Sequence, residues 1–233
     1  WVVLVVPQVF ETAFCGGMCI SRHAVPGVWG GIRSMGGIGT SVEWLLQQFW
    51  GDLPDRQAQI EAFNRAVSSS ETGANGLVFN PLSGGHIETG ELENRGMIGL
   101  SLKHTRMDIA RALLEGVAYE LNWMLEEIHE SYPITRVKMI GGATRNSTWP
   151  QITSDVTGLI VDLPSVSEAA SMGAAILAGV GLGWFEDVVS AGKIFDRQRK
   201  EIFPDRSRQT LYAKFNQRYR EIWGMLPHQD HAV

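Results

Sequence analysis

Cysteine is nearly absent: Cys15 and Cys19 are the only two thiols in 233 residues. Two thiols do not make a disulfide framework for a chain of this size. Without a neighbouring His or further Cys, a C-x-x-x-C spacing also makes a poor zinc site. They read as free thiols in a reducing cytoplasm. Long apolar runs are lacking as well. None reaches the roughly 18 to 20 residues of a membrane helix, and the opening Val2 to Val6 run stops at Pro7 with no basic residue before it, unlike a secretory signal. Nor is there an excess of positive charge. Lys and Arg number 20 against 25 Asp and Glu, and the net charge of -5 argues against a nucleic-acid footprint. There is no internal repeat, no low-complexity tract and no initiator Met ahead of Trp1. The last absence leads to the expectation that the chain is a piece of something longer.

What is present is an ordinary globular mixture, 44% hydrophobic and 19% charged. It is enough for one domain over residues 1–233 with its own core. Val2 to Val6 and Thr12 to Ile20 read as strands bounded by Pro and Gly. Gly36 to Gly39 then leads into a helix carrying Val42, Leu45, Leu46 and Phe49 on one face, with Thr40 and Glu43 spaced as a capping box. Residues 51–75 hold a short helical pattern, and residues 76–104 read as long loops. A long helix is predicted over Arg106 to Glu130, with Leu114, Val117, Ala118, Leu121, Leu125 and Ile128 on one face.

Beyond it the order becomes β-α-β-α. Arg136 to Ile140 is a strand, Gly141 to Asn146 a turn, and Ser147 to Thr157 a helix that tolerates Pro150 in its first turn. Leu159 to Leu163 is a second strand. Ser165 and Glu168 form another capping-box pattern before a small-residue helix over Ala169 to Val180, read as structural close packing. A final amphipathic helix follows Asp205, with Leu211, Phe215, Tyr219, Ile222 and Leu226 as its stripe. Strands alternating with helices place the chain in the α/β class, as a mixed sheet flanked by helices.

Two loops share one grammar: glycines followed by a helix. Gly141 to Asn146 comes after a strand, and Gly36 to Thr40 comes before a helix. Glycine lets a ligand approach the backbone, and a helix N-terminus offers unpaired N–H groups to a phosphate. A bare Gly-Gly is more often a tight turn without a ligand; it is the pair of loops in one domain, not either alone, that points to a nucleotide cleft.

The order of several longer stretches is more specific. Arg95-Gly96, Gly99 to Leu102, His104-Thr105-Arg106 and Arg111 to Ala118 form one stretch. Gly141 to Ala143 with Asn146, Trp149 and Asp155, then Glu168 to Ala175, form the next. His23 to Gly27 and Gly37 to Trp44 lie upstream. Together, over about residues 20 to 225, they resemble the C-terminal half of the FGGY carbohydrate kinases, xylulokinase and its relatives.

The resemblance implies an actin-like (ribonuclease H-like) ATPase domain that supplies the nucleotide wall of an ATP- and Mg²⁺-dependent sugar kinase. Gly39 stands where the family places a glycine near the nucleotide. Gly141, Gly142, Ala143 and Asn146 stand along the adenosine side. Asp155 and Glu168 read as framework, Glu168 as a helix cap. The sugar, a ketopentose by family alone, belongs to an N-terminal half that is not recognisable here, as does the catalytic base. No residue of this chain is therefore assigned a catalytic role. The family's phosphate loop has no good match in Thr12 to Gly17, and the Glu-Arg pair of a family loop is missing from Leu82 to His86. A half-enzyme would expose a former interface, with Trp29, Met35 and Met97 as contributors, which leaves homo-oligomerisation open. A non-catalytic nucleotide- or partner-binding module, and a remnant that binds nothing, are the alternatives.

Overall fold

The computed structural model describes residues 2–7, 18–35, 37–80, 96–166, 168–195 and 199–225. The phosphate-loop candidate Thr12 to Gly17, the loop Leu82 to His86, and Gly36, Cys15 and Leu226 lie outside them. The elements in chain order are β1 (Val2–Val6), β2 (Cys19–Arg22), β3 (Trp29–Arg33), α1 (Ile38–Trp50), α2 (Arg56–Ser69), β4 (Val78–Phe79), β5 (Met97–Ile98) and α3 (Arg106–His129). They continue with β6 (Arg136–Lys138), α4 (Trp149–Thr157), β7 (Ile160–Pro164), α5 (Ala169–Gly181), α6 (Val188–Phe195), β8 (Arg199–Ile202) and α7 (Arg206–Met225).

Helix α3 organises the fold. Thr105 caps it: its hydroxyl accepts from the Met107 N–H, and Asp108 reaches back to the Thr105 N–H at 2.8 Å, a reciprocal capping box. Every residue from Asp108 to Glu120 is buried. The apolar stripe read from the sequence is therefore one part of a helix enclosed on all sides. One core joins α3 to α1, α2, α4 and α7 through Leu45, Leu46, Phe63, Leu113, Leu114, Ile152 and Tyr212. A second joins its other face to the β1 and β6 layers through Val2, Met35, Val117, Leu125 and Ile128, with Val137 packed against it.

The capping carboxylate has a pH signature. Burial pushes Asp108 upward, but the Thr105 N–H and the Ser70, Thr105 and Asn75 side chains outweigh it. The pKa settles at about 2, against an ordinary value of 3.8. A depressed carboxylate stabilises the fold above its unfolded value and loses that contribution as pH falls through the folded one. Urea midpoints should therefore drop between about pH 4 and about pH 2, and less steeply in Asp108→Asn. Parallel pH profiles for the two proteins would contradict this.

The chain is mixed α/β, as expected, but its described strands form three small sheets. Their orders are β1-β3-β2, β4-β5 and β6-β7-β8. The first is antiparallel. In the third, β6 runs parallel to β7 and β8 antiparallel to it.

Several local expectations are corrected. The first helix begins at Ile38, two residues before Thr40, because Gly37 takes the left-handed conformation at its N-cap (φ 77). Thr40 therefore lies inside the first turn, and Glu43 pairs with Arg56 at 2.5 Å instead. Helix α5 begins at Ala169 with no side-chain cap, so Ser165 and Glu168 form no capping box; Glu168 binds Arg145 at 2.9 Å. On α7 the buried tyrosines are Tyr212 and Tyr219, while Leu211 is 39% exposed.

Met35 belongs to the second core and Trp29 and Met97 are half-buried, so they are not the exposed apolar surface. That surface includes Leu177, Leu182 and Trp184, on α5 and just beyond it. Close packing of α5 is confined to one side, where a Cβ on Gly179 would meet Phe185 at 2.7 Å.

Candidate functional site

The Gly141 turn is built by backbone conformation. Gly141 has φ 85 and ψ -164, a region open essentially to glycine. Its carbonyl accepts from the Thr144 N–H at 3.1 Å and from the Thr144 hydroxyl at 2.8 Å, closing a single 3₁₀ turn over Gly142–Arg145. Gly142 has ordinary φ and is exposed, and a Cβ built on it would meet nothing within 4 Å. The two glycines thus differ. The first is needed by the chain's own geometry; the second leaves open space.

Asn146 is 5% exposed and fully engaged. Its Oδ1 accepts from the Thr148 and Trp149 N–H groups at 2.7 and 3.0 Å, and its Nδ2 donates to Asn64 Oδ1 at 2.7 Å. It caps the start of α4 and ties the turn to α2. Asp155 is also engaged: it accepts from Gln151 and the Asp205 N–H at 2.8 Å each, and from Arg208 at 2.6 Å. Asp162 lies 3.0 Å from Arg136. Asp155 thus has framework partners, as read from the sequence, and Asp162 has its own in Arg136, whereas Glu168 holds the exposed Arg145 rather than a helix end.

A cleft of about 680 Å³ lies between the β1 and β6 layers. Val2, Val3 and Leu4 line one side and Arg136, Val137 and Lys138 the other. Val117, Leu121, Leu125 and Ile128 of α3 also line it. Gly37, Ile38 and Gly39, at the start of α1, and Ala143 of the glycine turn complete the part of interest here. The two loops singled out separately in the sequence therefore share one cavity through Gly39 and Ala143. Gly141, Gly142 and Asn146 are not lining residues; Gly142 is exposed beside Ala143.

Helix α1 has no acidic residue in its first turn, so its N–H groups and positive dipole end are not offset there. No space restricts Gly39, whose Cβ would meet nothing within 4 Å. Sequence reasoning missed Arg136, Lys138, Trp149 and Thr153 as lining residues. For Arg136 and Lys138 the signal available was the strand pattern over Arg136 to Ile140, which places alternate residues on opposite faces. Among the described residues, no group of three or more His, Cys, Asp or Glu could hold a metal ion, and no helix is long and apolar enough to cross a membrane.

The model of the FGGY family of carbohydrate kinases, C-terminal domain, matches residues 6–182. Xylulose kinase of Staphylococcus epidermidis (strain RP62A) is 32% identical over 225 residues, 95% of this chain and 44% of its own length. A ligand-bound xylulose kinase from Lactobacillus acidophilus superposes with a TM-score of 0.75 at 19% identity, covering 97% of this chain and 45% of that one. Plasmodium falciparum glycerol kinase, solved with ADP, superposes at 0.71 and 22% identity, covering 94% and 45%. The two structures share the fold, and the chain spans less than half the length of each of these relatives. With the C-terminal-domain model matching most of this chain, the chain belongs to the FGGY family of carbohydrate kinases.

Proposed function

We propose that this chain supplies the nucleotide-binding wall of an ATP-dependent carbohydrate kinase, with ATP or ADP held where the first turn of α1 and the Gly141 turn share one cleft. The observation that carries the reading is the placement of Gly39 and Ala143 on that cleft, with open space above Gly39 and Gly142. In this reading the N–H groups at the start of α1 face phosphate oxygens, and Gly142 lets the adenosine side approach the backbone. Gly141 fixes the turn. Asn146 acts as a positioning residue through its cap on α4, rather than as a direct contact. A relative solved with ADP supports the choice of ligand.

Mg²⁺ would travel with the nucleotide's phosphates, as it commonly does. The described residues build no cage for it, and Asp155 and Asp162 are committed to arginines. The acceptor, a ketopentose such as xylulose by likeness to the Staphylococcus enzyme, is assigned to the other half of the kinase. A cytoplasmic location follows from that metabolic role. The domain assignment, one nucleotide-binding unit over residues 1–233, is part of the same proposal.

Hydrogen exchange tests the site. Millimolar ADP should slow exchange at Ile38–Thr40 and Gly142–Arg145 together. Protection confined to distant elements such as α7 would contradict the placement.

A further inference from the structure

A second cavity, of about 370 Å³, lies at the far end of α1 from the nucleotide cleft. Helix α1 has 13 residues, so its two ends are about 18 Å apart. The two cavities share no lining residue. Trp50, the last residue of α1, and Asp52 in the turn after it line one side. Ala62, Arg65, Ala66 and Ser69 line another from α2, at the spacing of a single helix face. Arg106 and Met107, the first two residues of α3, complete it.

Two guanidiniums line this small space, and neither is firmly neutralised. Arg106 Nη1 donates to the Phe49 carbonyl at 3.1 Å, and its Cζ lies 5.6 Å from the Trp50 ring centroid. The Phe49 carbonyl is among the last of α1, which helix geometry leaves without a partner. Arg106 is thus held in place by a bond that takes one of its five donors, and no carboxylate among the described residues pairs with it. Arg65 has only Glu61, at 4.0 Å, with the two side chains 71% and 54% exposed. Such a pair contributes little and yields readily to a ligand. Asp52 is exposed and without an ion pair among the described residues. The Ser69 hydroxyl donates to the Arg65 carbonyl at 2.8 Å and keeps its lone pairs.

We infer that this cavity binds a small phosphomonoester bearing hydroxyl groups, that is, a sugar phosphate, independently of the nucleotide. Two guanidiniums match a phosphomonoester, which carries a charge of about −1.5 to −2 near neutral pH, and their planar forks suit its oxygens. A lone carboxylate would call for only one of them. Asp52 repels a bare oxyanion but accepts from hydroxyls, as Ser69 can, so the body of the ligand is hydroxylated. A base is disfavoured: Trp50 is 3% exposed and its ring already carries Arg106, so no free aromatic face remains for stacking. The volume falls at the small end of ligand sites, which run from about 300 to 1,000 Å³.

The test titrates ribose 5-phosphate into the 233-residue chain without nucleotide and at constant ionic strength, with ribose and inorganic phosphate as controls. Calorimetry reads affinity, and amide exchange by mass spectrometry reads the place. Ribose 5-phosphate should bind saturably and slow exchange over residues 62–69 and 106–109, leaving Ile38–Thr40 unchanged. Inorganic phosphate should bind more weakly and ribose not at all. Arg65 is an exposed side chain, so Arg65→Gln should keep its thermal midpoint and lose at least about ten-fold in affinity. Arg106→Lys keeps the charge but not the fork, and should also bind more weakly; if it unfolds, Arg65→Gln alone decides. Absence of saturable binding, protection at Ile38–Thr40 instead of α2, or unchanged affinity in folded Arg65→Gln would overturn the proposal. Equal affinity for inorganic phosphate, or binding of ribose, would overturn the class of ligand.

Discussion

Arg111→Ala should destabilise the chain by about 3 to 5 kcal/mol, the usual cost of stripping one partner from a buried ion pair. Arg111 lies in the core beside Glu115, with Nε 2.7 Å from Oε1. Its other nitrogens donate to the Val67 and Ser70 carbonyls, the Thr72 hydroxyl and the Tyr212 hydroxyl at 2.9–3.3 Å. Glu115 Oε1 also accepts from Tyr212 at 2.8 Å and from the Gly73 N–H at 3.0 Å. One guanidinium thus joins α3, the end of α2, the turn after it and α7. Removing it leaves a buried carboxylate without a counter-charge and two carbonyls without a donor.

Burial and the Glu115 charge push the Tyr212 phenol far above its ordinary value, so it remains a neutral donor and supplies no counter-charge. Domains are stable by only about 5 to 15 kcal/mol, so the loss should be visible as a large fall in the urea midpoint. Replacing both partners together, Arg111→Met with Glu115→Leu, should recover much of it, because an apolar pair avoids the desolvation cost. A single-variant loss below about 1 kcal/mol would mean that the network is not held as described.

The second large effect is on catalysis. The 233-residue chain should release no sugar-dependent ADP above background, even where it binds nucleotide. Phosphoryl transfer needs the acceptor hydroxyl in line with the γ-phosphate, and bringing bound reactants together can lower the barrier by about 7 to 11 kcal/mol. A general base contributes about 10² to 10⁴-fold more. Two buried carboxylates are engaged elsewhere: Asp155 by Arg208, and Asp162 by Arg136. An ADP-release assay with Mg²⁺ and a panel of pentuloses, hexoses and polyols measures this directly. Robust turnover would show that a catalytic group lies within this chain. Activity regained on adding a matching N-terminal half would favour the kinase-half reading over a non-catalytic binding module.

How much was legible depended on how local the cause was. The α3 boundaries could be read closely because a long apolar stripe is a local signal. Its cap was legible too, in the Thr105 to Asp108 spacing, but was passed over. The capping boxes that failed had the right residues in the wrong conformational context: a left-handed Gly37 had already started α1, and Glu168 found a cation in Arg145. The α7 stripe held at Phe215 and Tyr219 but failed at Leu211, since its neighbour Tyr212 is drawn inward by Arg111 and Glu115, which lie about a hundred positions away.

The glycine turn was likewise readable as a loop, yet two adjacent glycines look alike in sequence, and only the fold separates Gly141, held by φ, from Gly142, which leaves space. The two glycine loops pointed to a cleft, but its β-strand and α3 lining was not legible. It is made by β1 and β6, more than a hundred positions apart, and by residues of α3 that pattern reading assigns simply to the core.

The central claim is that adenine nucleotide binds against the Gly142 turn, and calorimetric titration of ADP into the wild type and Gly142→Leu tests it most directly. Gly142 has ordinary φ and open space, so the variant should keep its thermal midpoint. The new side chain would occupy the ligand's approach, so ADP affinity should fall at least about ten-fold, or about 1.4 kcal/mol. Equal affinity in the two proteins, both folded, would contradict the account.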